Sequence, residues 1–189
     1  LDSGMRVYNS MPRTDQCIFR IIMRTAHTND QELIEAITSF VQSSLQKPEL
    51  QKLFFSGTQL SQIWSNIFFD NTIACTYLGP IFNNAATTFV VSDVSQLDNF
   101  LEAVIGDLDK MDLSCASSGL LFVGRMIQHV NTGDFLPSIL PTVRDMALNL
   151  DNYDFLEPFI FAPTSDPPAI WAAIDSLCAD PNLSIELLE

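Results

Sequence analysis

Residues 119–130 read GLLFVGRMIQHV. Wound as a helix, the segment carries Leu120, Leu121, Phe122, Val123, Met126, Ile127 and Val130 and keeps only a narrow polar strip. That is the pattern of a helix packed on several sides, so the stretch predicts the axis of the fold. Arg125 and His129 stand at i and i+4, which puts them on one face about one turn apart. Phe122, three residues before Arg125, shares that face.

Around this axis the helical period recurs. In TQLSQIWSNIFF, Leu60, Ile63, Trp64, Ile67 and Phe68 form one stripe behind a cap at Thr58. In SDVSQLDNFLEAVIGDLDKM, Val94, Leu97, Leu101, Val104, Ile105 and Leu108 form another, with Asp98, Glu102, Asp107 and Asp109 opposite. Asn29 and Glu32 have the spacing of a capping box ahead of Leu33, Ile37, Phe40, Val41 and Leu45. Pro48 suits the first turn of a short helix ending near Gly57. Residues 135–150 place Leu136, Ile139, Leu140, Val143, Ala147 and Leu150 together, with Pro141 expected to bend the helix. Residues 165–178 are expected to bury Ile170, Trp171, Ile174 and Leu177. Segments 18–24, 73–77 and 82–89 read as helical, although TTFVV also suits a strand. The linkers are short, and no Gly/Ser or Pro tether of domain-separating length interrupts them. The expected fold is all-α, a compact bundle of about eight to ten helices. Residues 1–13 form an N-terminal arm and residues 14–189 a single helical domain.

Composition narrows the class. Apolar residues make up 47% of the 189 and charged residues 17%, a greasy balance that excludes disorder as the main state. Apolar runs fall far short of the roughly 18 to 20 residues a membrane span needs, so an integral membrane protein is not expected. No basic stretch followed by an apolar one opens the chain, and Leu1 reads as a processed or excised start. The net charge is −14, yet Arg6, Arg13, Arg20 and Arg24 meet only Asp2 and Asp15 among the first 24 residues. A body this acidic repels phosphate backbones, which excludes nucleic acid as a partner.

Cys17, Cys75, Cys115 and Cys178 match no zinc or thioredoxin spacing. An even number of distant cysteines suits two long-range disulfides in an oxidising, extracellular setting, with three pairings open. Four buried free thiols are the alternative.

His27 and His129 fit no metal motif, and no nucleophile elbow, phosphate loop or dinucleotide fingerprint occurs. Asp107, Asp109 and Asp112 lack the glycine turn and terminal Glu of a calcium loop and read as a solvated acidic face. Neither an enzyme nor a resident cofactor is expected. Fourteen Phe and six Met supply broad, adaptable walls. A guanidinium beside such walls is a natural fork for a fatty-acid carboxylate. The leading expectation is therefore a secreted carrier that holds a fatty acid or other lipid in an internal cavity. Arg125, His129, Phe122, Met126, Phe68 and Trp64 are its candidate ligand-binding residues. The competing account has Arg125 paired with a neighbouring acid or reaching to water.

A weakly charged, acidic, cysteine-containing helical chain is also similar in texture to the terminal and spacer domains of silk-type extracellular proteins, a likeness of composition carried by no motif. It implies a structural self-association module and a homo-oligomer. Its acidic surface would make assembly respond to pH as carboxylates gain protons and repulsion falls.

Overall fold

Asp30 caps the helix that follows it: its Oδ1 accepts the Leu33 N–H at 3.2 Å, the bond an N-cap side chain makes to the third helical residue, and Asn29, the expected cap, lies outside the described residues. In the computed structural model, the described residues are 20, 22, 28, 30–55, 57–69, 71–89, 97–128, 135–150, 152, 154–163, 168, 171–172, 175 and 179. Among these the secondary structure is helical, without strand. Helix α1 spans Gln31–Leu45, α2 Pro48–Phe54 and α3 Gly57–Ile63, which continues into a π-helical turn, Trp64–Phe69. Next come α4 (Thr72–Ala86), α5 (Asp98–Asp107) with a 3-10 turn (Leu108–Lys110), α6 (Leu113–Ile127), α7 (Phe135–Leu150) and α8 (Glu157–Ile160).

The stripe Leu60, Ile63, Trp64, Ile67 and Phe68 is wholly buried, as its spacing predicts. Its backbone is not one α-helix, however. The i→i+5 bonding of a π turn widens the helix locally and carries Trp64, Ile67 and Phe68 into the core. Thr58 lies one residue inside α3 rather than capping it, and α2 ends at Phe54, short of Gly57. Helix α4 joins two segments that the sequence keeps apart, running through Pro80. Proline removes one donor to the carbonyl four residues earlier, and that residue, Thr76, is exposed, so the missing bond costs less than it would in the core. Pro141 likewise sits inside α7, which continues on both sides of it.

Helix α6 contains the quoted stretch as far as Ile127 and starts earlier, at Leu113. Asp112 is therefore not part of an acidic face on the preceding helix. It caps α6, accepting the Ser114 N–H at 2.9 Å. Cys115, Ala116, Gly119, Leu120, Phe122, Val123, Gly124, Met126 and Ile127 of α6 are buried. The helix packs against α4, the π turn, α7 and α8, the central position expected of it. One hydrophobic cluster runs from Ile22 to Ala162 through α6. Trp171 departs from expectation: it is 64% exposed. Its expected companions Ile170, Ile174 and Leu177 lie outside the described residues, as do residues 1–13.

Candidate functional site

Among the described residues, α4 and α6 form the most extensive helix pair. Thr72 and Ser114, near the start of each, share a hydroxyl hydrogen bond at 3.1 Å. Farther along, Asn83 Nδ2 donates to Ser118 O at 3.0 Å and to Ser118 Oγ at 2.9 Å. The two helices thus run in the same direction. Small residues let them approach: a Cβ on Gly79 would stand 2.9 Å from Ser118 Oγ.

Arg125 extends from α6 to the far end of α4, where its Nη1 donates to Asn83 O at 2.8 Å. Asn83 is one of the last four residues of α4, whose carbonyls have no donor within the helix. A cation there meets both an orphan acceptor and the negative end of the helix dipole. Burial lowers the Arg125 pKa from its ordinary value, and the nearby Glu157 carboxylate partly offsets that. Arg125 remains a cation and ties two helices together.

Trp64, Phe68 and Phe122, the aromatic residues named from sequence, converge in the core. Phe68 and Phe122 stack with centroids 4.9 Å apart and planes at 23°. Phe100 meets Phe122 edge-on at 6.0 Å, and Trp64 meets Phe100 edge-on at 6.4 Å. Phe55 lies 6.2 Å from Phe122. Trp64, Phe68 and Phe122 are fully buried and Met126 nearly so. The indole N–H of Trp64 donates to Asp107 Oδ2 at 3.1 Å, so the one polar atom of that ring is satisfied inside the core. Phe122, Phe68 and Trp64 belong to one aromatic cluster, Met126 and Arg125 lie on the same helix as Phe122, and His129 lies outside the described residues.

Glycines in α6 report how closely the centre is filled. A Cβ on Gly119 would meet the Met111 thioether methyl, Phe68 Cβ at 3.2 Å and Trp64 Cζ3 at 3.2 Å. One on Gly124 would stand 2.8 Å from Pro158 Cβ and 3.1 Å from two atoms of the Phe159 ring. The aromatic rings here are one another's packing partners, in the arrangement of a dense protein interior.

A surface cleft of about 220 Å³ lies elsewhere, between α1, α2 and α4. Gln42, Gln46, Gln51, Asn84 and Thr88 line it with Leu45, Ile81 and Ala85. It contains none of the ligand-binding residues expected from sequence, and no charged group.

Cys75 on α4 and Cys115 on α6 are buried free thiols. The two thiols interact across the seam but are not bonded, so neither of the expected disulfides is formed at these positions in this structure. Burial, followed by the neighbouring Cys115, pushes the Cys75 thiol up to about 12. Cys17 and Cys178 lie outside the described residues. Among the described residues no group of three His, Cys, Asp or Glu is placed to hold a metal, and no helix is long and apolar enough to cross a membrane.

Sequence reading missed Asn83, Ser118, Gly79 and the Asp107 carboxylate under Trp64. The available signal was small: Gly79-Pro80 and Asn83 interrupt an otherwise apolar run. Comparison with protein-family models, with curated proteins and with solved structures found no match.

Proposed function

We propose that the protein is a non-enzymatic, extracellular helical module that associates with further copies of itself. The observation that carries this reading is on α1. Ile34, Val41 and Leu45 face the core, while Leu33 at 40% and Phe40 at 50% exposure stand on the outer side with half-buried Ile37 between them. Leu33, Ile37 and Phe40 have the i, i+4, i+7 spacing of a docking stripe. Exposed Asp30, Glu32 and Glu35 border it. The complementary charge in this chain is the arginine-rich start, Arg6, Arg13, Arg20 and Arg24, of which Arg20 is described and exposed. A second copy therefore supplies a basic segment to an acidic, apolar-centred face.

Two electrostatic contributions oppose each other. Bodies of charge −14 repel at long range, an effect screened over about 8 Å at physiological salt. Local Arg–carboxylate contacts attract, each contributing up to about 1 kcal/mol. Mild acidification removes charge first from carboxylates without a cationic partner, so repulsion falls before the contacts are lost. Sedimentation velocity tests this. The chain is expected to shift from monomer to oligomer between about pH 7.5 and about pH 4.5, where roughly a quarter of ordinary carboxylates are protonated. Leu33→Ser with Phe40→Ser is expected to remain monomeric. A monomer at every pH at high micromolar concentration overturns the proposal.

The carrier reading is the second. In its favour is Arg125, whose guanidinium is partly desolvated, a setting suited to a carboxylate. The mutual packing of Phe68, Phe122, Phe100 and Trp64 favours the assembly reading over it. Native mass spectrometry after gentle purification separates the two: a carrier releases a fatty acid or takes up a fluorescent one.

A further inference from the structure

The α4–α6 seam places two thiols where a covalent bond between the helices needs them. Ordinary helix pairs sit about 8–10 Å apart, whereas a disulfide requires Cα atoms within roughly 7 Å. Most facing cysteines on packed helices are therefore too far apart to join. Here a glycine sits on the seam: a Cβ on Gly79 of α4 would stand 2.9 Å from Ser118 Oγ of α6 and 3.6 Å from Cys75 Sγ, so the absence of that carbon lets the helices approach. Cys75 is one turn before Gly79 on α4, and Cys115 is one turn before Gly119 on α6. Hydrogen bonds bracket the pair: Thr72 to Ser114 on one side and Asn83 to Ser118 on the other. Cys115 Sγ also contacts Ser114 Oγ at 3.7 Å. The two free thiols therefore face each other across a seam held in register on both sides.

We infer that Cys75 and Cys115 are a cross-linking site, joined as an intrachain disulfide by exchange with a small-molecule disulfide such as glutathione disulfide. One cysteine thiolate attacks glutathione disulfide, forming a mixed disulfide and releasing one glutathione. The second cysteine thiolate attacks the protein sulfur of that mixed disulfide, forming the Cys75–Cys115 bond and releasing the second glutathione. The two thiol protons pass to the departing glutathione thiolates, and the two electrons reduce glutathione disulfide to two glutathiones. This pairing settles one of the three connectivities open to four cysteines, and it is independent of the assembly reading.

The buried, strongly protonated Cys75 thiol reacts slowly in the folded chain, since the thiolate is the attacking species. The two thiols meet most readily while the helices assemble, and the finished bond lies out of reach of solvent reductants. The product then fixes the central helix α6 to α4 and shortens the unfolded chain across 40 residues.

The test avoids slow access by refolding the reduced, urea-unfolded full chain in a glutathione redox buffer. Remaining thiols are then blocked, and peptides are mapped by mass spectrometry. The expected product is a Cys75–Cys115 linked peptide pair, lighter than the reduced pair by about 2 Da for the two hydrogens lost. Its urea unfolding midpoint exceeds that of the reduced protein. Cys75→Ser is expected to leave Cys115 as a free thiol or a glutathione adduct. Gly79→Ala, which pushes the helices apart, is expected to lower the linked fraction several-fold while Cys75 and Cys115 remain present. Recovery of both cysteines as blocked thiols, or of either bonded to Cys17 or Cys178, overturns the inference.

Discussion

Arg125 of α6 holds the carbonyl of Asn83 at the end of α4 across 2.8 Å, so a side chain that sequence suggests for a ligand completes a helix terminus. Arg125→Met keeps most of the aliphatic stem and deletes the donor. The expected loss is about 1 kcal/mol of unfolding free energy, at the low end for a charged hydrogen bond because the group is partly solvated. Urea denaturation measures it. A variant of unchanged stability that has lost fatty-acid uptake would instead place Arg125 in a ligand site.

Phe122 joins the stacked Phe68 ring to the edge-on Phe100 ring. Phe122→Ala should cost about 3–5 kcal/mol, as buried phenylalanine truncations do, and Phe122→Leu appreciably less. A loss below about 1 kcal/mol for the alanine variant would mean that the surroundings close over the gap without cost.

The Trp64 indole reaches Asp107 Oδ2 at 3.1 Å. Asp107→Ala leaves a fully buried N–H without this acceptor, and the expected cost is about 1–2 kcal/mol. Trp64→Phe removes the need for the acceptor, so Asp107→Ala made in that background should cost much less. Equal costs in both backgrounds would disprove the coupling.

Asp112 supplies a pH signature. The Ser114 backbone N–H and then its hydroxyl, with a smaller contribution from Thr72, hold this carboxylate below its ordinary 3.8. A folded-state pKa below the unfolded one means that the ionised form stabilises the fold above the unfolded value. That contribution disappears as pH falls through the folded value. Asp112→Asn keeps a capping side chain without the charge, so its deficit against the parent should be present at neutral pH and shrink below about pH 4. Urea midpoints at several pH values provide the check, and a deficit that does not change with pH would contradict it.

Much of the fold is readable from the amino-acid order. The i, i+3, i+4, i+7 stripe at Leu60 to Phe68 and the apolar-all-round Leu120 to Ile127 find their buried positions, because hydrophobic periodicity is a local signal. Errors arise where a local cue has two uses. The acids of GDLDKMD look like one helix face until the chain bends at Met111 and Asp112 becomes a cap. Segments 73–77 and 82–89 read as separate helical pieces, yet α4 runs through Pro80 without a break. The candidate site was only partly legible: Trp64, Phe68 and Phe122 share one aromatic cluster through Phe100, while Arg125 serves a helix end. The rings' packing on one another joins residues far apart in sequence, and the partner of Arg125 is Asn83, 42 residues away in the chain. No spacing rule connects such distant residues.

The account depends on α6 being an axis with a filled interior around it, and two glycines test this by sign. Alanine normally stabilises a helix interior over glycine by about 1 kcal/mol. Gly106 on α5 has nothing within 4 Å of its Cβ position, so Gly106→Ala should show that gain. Gly124 on α6 faces Pro158 at 2.8 Å and the Phe159 ring at 3.1 Å, so Gly124→Ala should reverse it, losing roughly 1–3 kcal/mol through overpacking. Urea denaturation of the two variants side by side is the most direct measurement. Opposite signs are predicted, and a Gly124→Ala protein stabilised as much as Gly106→Ala would contradict a close-packed centre.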